Sequence, residues 1–167
     1  MCAMAWKKRR GRLGVLQPLL GTWVAEADSP QGRVRCTRRF ERVLGGSYVQ
    51  LTARWEFADT VYEELALYGV DKDRELRFWS FTSDGKQFTG VLADGSDAHP
   101  QALAFEAQMP AGLARTLYWP DEEEGFRWAV ESHGMKGWNR FVEHHYRAVE
   151  EARESDVVGA SKDDAAG

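Results

Sequence analysis

The chain has 167 residues, a formal net charge of −4 and 43% hydrophobic residues, with seven tryptophans. That length suits one domain with a sizeable core and is short for two. No run approaches the roughly 20 apolar residues of a membrane-spanning helix. The only cysteines, Cys2 and Cys36, argue against a disulfide scaffold and for a reducing, cytoplasmic setting.

The opening "MCAMAWKKRRGRLGVLQPLL" gathers Lys7, Lys8, Arg9, Arg10 and Arg12. It lacks the apolar region and cleavage site of a signal peptide. Residues 1–12 read as a basic disordered tail. Without aromatic interleaving, so short a basic run reads as solvated, with no nucleic-acid or membrane partner. "LGVLQPLL" (13–20), interrupted by Pro18, reads as a short helix that closes one end or the mouth of a sheet.

From Gly21 onward, turn signals recur at short intervals: "SPQG", "LGGS", "SDGK", "MPAG", "PDEEEG" and "HGMKG" among them. Between them lie ten runs rich in aromatic and aliphatic residues, from "TWVAEA" and "RVRCTRRFERV" to "FRWAVES" and "WNRFVEHHYRAV". "YVQLTARWEF" alternates strictly, with Val49, Leu51, Ala53, Trp55 and Phe57 on one face, so one side of that strand is buried and the other wet. Every connection fits an antiparallel neighbour, and no segment could serve as a crossover helix. The expected fold is all-β: one antiparallel up-and-down barrel of about ten strands over residues 13–149, since closure leaves no edge exposed. Residues 150–167, small and charged, read as a disordered acidic tail.

"GTW" at the head of the first strand, the meander and Arg147 in the last strand together resemble the calycin superfamily of lipocalins, fatty-acid-binding proteins and nitrobindin-type haem barrels. "LLGTW", "VLGGSYV", "LYGVD" and "WSFTSDGKQFTG" are similar to an uncharacterised bacterial group of lipocalin-like proteins. The resemblance implies that Trp23 plugs the closed end beneath the Arg147 guanidinium. It also implies a haem-binding alternative, with His144 or His145 as the axial iron ligand.

Ten strands leave room inside for a small ligand. The expected function is the binding of a small hydrophobic or amphipathic molecule, without cofactor or metal. Trp55, Trp79 and Trp128 would bury its apolar body, while Tyr48, Arg54 or His145 orient a polar end. His144 and His145 are adjacent, so on a regular strand they face opposite ways and cannot share a metal. A barrel enzyme is the remaining alternative. Glu143 and His145, at i and i+2, could act as acid and base, as could Glu63 and Glu64 beside Tyr62. Arg38 and Arg54 would be salt-bridge partners for such carboxylates. No complete catalytic motif stands out.

Overall fold

Each apolar run becomes a strand, and each segment rich in Gly, Pro or Asp becomes a short connection. The computed structural model describes residues 6–149; residues 1–5 of the expected N-terminal tail (1–12) and the expected tail at 150–167 lie outside the described residues. The strands are β1 (Gly21–Ser29), β2 (Gly32–Val43), β3 (Tyr48–Glu56), β4 (Val61–Val70), β5 (Leu76–Thr82), β6 (Gln87–Asp94), β7 (Leu103–Met109), β8 (Gly112–Pro120), β9 (Phe126–Gly134) and β10 (Gly137–Ala148). Neighbours in sequence pair antiparallel, and β1 also pairs with β10, so the sheet closes into a ten-stranded barrel. The β1–β10 seam is short, with Trp23 opposite Ala148 and Val24 opposite Arg147.

Period-two burial decides what the interior contains. In β2, Val34, Cys36, Arg38 and Phe40 are buried, whereas Arg33, Arg35 and Arg39 are exposed. In β3, Val49, Leu51 and Ala53 are buried and Thr52 and Arg54 exposed. Outward positions carry cross-strand ion pairs such as Arg35–Glu26 and Arg54–Glu63. In β10 the alternation is reset by a bulge between Arg140 and Val142, which leaves Phe141 without a cross-strand partner. An extra residue at a bulge locally re-aims the strand. Beyond it, Val142, His144 and Tyr146 are the more buried positions, while Glu143, His145 and Arg147 face outward.

One end is filled. The 3-10 helix Leu13–Leu19 inserts Leu16 and Leu19, both fully buried, into a cluster with Trp23, Phe40, Leu51, Leu76, Leu103 and Phe126. Trp6, within the segment expected to be a tail, packs against the same cluster. The Trp23 indole Nε1 donates to the Leu19 carbonyl at 2.7 Å, and its ring meets Phe126 edge-on at 4.8 Å. The polar edge of the plug is thereby satisfied while its apolar body fills the end. Gly125, at φ +68°, turns the chain between β8 and β9 here, and a Cβ on it would overlap the Tyr146 carbonyl oxygen.

Arg147 takes no part in this plug. Strand neighbours directly opposite each other share a face, and Arg147 is opposite Val24 rather than Trp23. Its exposed guanidinium pairs with Glu124 at 3.1 Å. The helix is likewise at the plugged end and does not cover the mouth.

Candidate ligand cavity

Above the plug the interior is not filled. A cavity of about 590 Å³ extends toward the opposite end, where the β7–β8 and β9–β10 hairpins turn. This volume lies within the roughly 300–1,000 Å³ typical of small-molecule sites. Phe78, Phe88, Phe105 and Trp55 contribute to its wall, and Met109, Leu113, His133 and Phe141 stand at its rim. Phe141, the bulge residue, is 67% exposed there.

Arg38 forms the floor. It projects from β2, at the inward parity of Val34, Cys36 and Phe40, and its side chain reaches across to β8, β9 and β10. Nη1 donates to the Tyr118 hydroxyl at 2.9 Å and Nε to the Tyr146 hydroxyl at 3.3 Å. The guanidinium lies 4.4 Å from the Trp128 ring centroid, within range of a cation–π attraction. Arg38 is 4% exposed, yet both of its hydrogen bonds go to phenols, and Nη2 makes none to a described residue. Burial alone would lower its pKa, but Tyr118, Tyr146 and Glu64 hold it above the ordinary value, so it stays charged.

Glu64, on β4, is the one carboxylate among the described residues that line the cavity. Arg38, Ala53, Glu64 and Thr82 are successive register partners across β2 to β5. The small Ala53 therefore separates the two charged side chains. Burial raises the Glu64 pKa, against the opposing pull of Arg38 and Ser80. Tyr68 and Tyr118 are also raised, chiefly by burial. The buried Trp128 Nε1 has no hydrogen-bond partner among the described residues. The free Cys36 thiol, under the floor, is pushed up to about 11 by burial.

The expected ligand residues divide. Trp55 and Trp128 line the cavity and meet edge-on at 5.7 Å. The other four face away from it, and each placement follows from strand parity. Tyr48 lies on the outer face, its ring occupying the space where a Cβ of Gly69 would stand. Arg54 is exposed and paired with Glu56 and Glu63. Trp79 alternates with the buried Phe78 and Ser80 and so points outward. His145 is also outside, its Nε2 2.7 Å from the Glu124 carbonyl oxygen.

Glu143 and His145 border one pocket on the outer face without touching each other, His145 lying 3.5 Å from Asp121. Glu143 is held on the outer face by Arg127 and Arg140. Of Glu63 and Glu64, only Glu64 enters the cavity. His144 does point inward, but its ring is flanked by Trp55 and Trp128 at 5.5 and 5.2 Å, behind the cavity wall. Its Nδ1 is buried without a partner among the described residues. Neither His144 nor His145 is among the residues that line the cavity.

Sequence reasoning did not assign Arg38, Tyr68 or Tyr118 to the cavity, nor Tyr146 to the support of Arg38. The signal for Arg38 is in the sequence: an arginine at the same parity as Val34, Cys36 and Phe40 is a charge aimed into a core, and such charges are rare without a partner or a task. No protein-family model matches the chain, and no curated protein is significantly similar to it.

Proposed function

We propose that the chain is a calycin-like barrel that binds one small amphipathic molecule, apolar body against the aromatic wall and a hydrogen-bond acceptor on the Arg38 guanidinium. The observation that carries this reading is the buried Arg38 at the base of a cavity of about 590 Å³, with one nitrogen unused among the described residues. A buried cation without a contacting carboxylate carries a desolvation penalty of several kcal/mol, which a ligand acceptor would offset. Phe141 and Met109 at the rim offer an apolar entrance. The free buried thiol of Cys36 supports a reducing compartment.

The test uses the neutral fluorophore N-phenyl-1-naphthylamine. Its emission is expected to rise and shift blue on binding, with energy transfer from Trp55 and Trp128. An acceptor-bearing apolar ketone, 2-tetralone, is expected to displace it from the native chain and to do so at least about ten-fold less well from Arg38→Met, a loss of roughly 1.4 kcal/mol. No fluorescence change, or equal displacement in both proteins, contradicts the proposal.

A further inference from the structure

Glu64 has no role in ligand retention, and its placement calls for one. Four features converge. Among the described residues it is the one carboxylate that lines the cavity. Two register steps separate it from Arg38, roughly 10 Å between backbones at the usual strand spacing, and the intervening residue is only alanine. Arg38 makes its hydrogen bonds to Tyr118 and Tyr146 rather than to Glu64. The surrounding wall is aromatic and aliphatic. A carboxylate and a guanidinium thus face one small space, within reach of each other's charge but with no hydrogen bond between them.

From this juxtaposition we infer that the barrel catalyses proton transfer at a carbon next to a carbonyl, with Glu64 as the base and Arg38 as the stabiliser of the developing oxyanion. The inference rests on the binding reading above. With both groups ionised, the pair is electrically balanced, so a neutral ketone or enone suits the site better than a carboxylate. The carbonyl oxygen would accept from Arg38, placing its α-carbon toward Glu64.

The step balances without a co-reactant. The Glu64 carboxylate takes the α-proton, the C–H electron pair becomes a carbon–carbon π bond, and the carbonyl π pair moves onto oxygen. When the Glu64 carboxyl first trades that proton with solvent, delivery of the solvent-derived proton to the same carbon gives exchange. In a β,γ-unsaturated ketone, return at the γ-carbon gives the conjugated isomer. Nothing is oxidised or reduced overall. Burial supports the assignment, because it makes the Glu64 carboxylate more basic than one in water. Tyr118 and Tyr146 are positioning residues that hold the guanidinium.

The experiment follows deuterium incorporation at C1 of 2-tetralone by NMR in deuterated buffer, with binding read in the same sample by saturation transfer to the ligand. Exchange is expected to run faster than in buffer alone. Glu64→Gln and Glu64→Ala are both expected to lower the protein-dependent rate by about 100-fold or more, while saturation transfer persists and near-ultraviolet circular dichroism reports an intact fold. Undiminished exchange in the folded variants overturns the assignment. So does an absence of exchange in a native chain that binds 2-tetralone, an outcome that leaves the binding reading standing. Loss of saturation transfer together with loss of naphthylamine binding overturns both.

Discussion

The Arg38 guanidinium sits 4.4 Å from the Trp128 ring centroid while donating to the Tyr118 hydroxyl at 2.9 Å. This contact divides the barrel into an apolar plug below and an open cavity above. It also sets up an unusual energy balance. Two charge-assisted hydrogen bonds and a cation–π contact stabilise the fold by a few kcal/mol, and desolvation of an unpaired guanidinium opposes them by a similar amount.

Arg38→Met is therefore expected to change unfolding free energy by no more than about 1 kcal/mol, because methionine fills much of the same volume without a charge. Urea denaturation measures this. A loss of several kcal/mol would mean that Arg38 is a structural keystone rather than a group held for a ligand.

The outer face holds a different kind of arginine. Arg115 on β8 is buried beneath the connection between β6 and β7, donates to both Asp97 carboxylate oxygens at 2.8 and 2.7 Å, and reaches Glu131 at 2.8 Å. Its guanidinium also covers Trp138 at 4.2 Å. Arg115→Ala leaves the buried Glu131 with Arg140 alone and unpins the loop. The expected loss is about 3 kcal/mol, with faster amide exchange at residues 95–102. Asp97→Ala, at the exposed end of the same cluster, should lose about 1 kcal/mol or less.

Acid sensitivity is expected in two separate steps. His144 is held below its ordinary value of 6.5, first by burial and then by the Arg38 charge. The unfolded chain takes up this proton more readily. Stability is then complete above the ordinary value and falls as pH drops from there toward the lower folded value. His144→Phe should flatten that upper step, seen in urea midpoints between about pH 7 and 5.

Asp121 leads the lower step. Burial pushes its pKa up, but the Arg127 Nε donor and the backbone N–H groups of Glu123 and Glu124 prevail and hold it at about 2. Its contribution is present above the ordinary carboxylate value of 3.8 and is lost as pH falls through about 2. Asp121→Asn should shrink the lower step, to which Asp71, Asp84, Asp94 and Asp97 also contribute, and leave the upper one. Equal pH profiles in native and variant chains would refute this assignment.

Strand positions were legible because apolar runs and turn residues alternate along the whole barrel. Facing was harder to read. In β3, alternation of Val49, Leu51, Ala53 and Trp55 with polar residues identifies the inner face by itself. In β5, aromatic residues occupy both parities, so nothing local distinguishes the inward Phe78 from the outward Trp79. In β10, the bulge at Phe141 breaks the parity that links Trp138 to His144. Arg147 matches a plug residue by resemblance alone; closure places it opposite Val24. Arg38 was readable from parity within β2, whereas its phenol partners on β8 and β10 meet it only once ten strands have closed.

The most direct measurement is the isotope-edited infrared stretch of the carbonyl of bound 2-tetralone. In the native chain it is expected to fall to lower wavenumber than in a hydrocarbon solvent, through donation from the guanidinium at the cavity floor, and to return toward the hydrocarbon value in Arg38→Met. A hydrocarbon-like stretch in the native complex, or the same lowered stretch in both proteins, would contradict a ligand acceptor seated on Arg38.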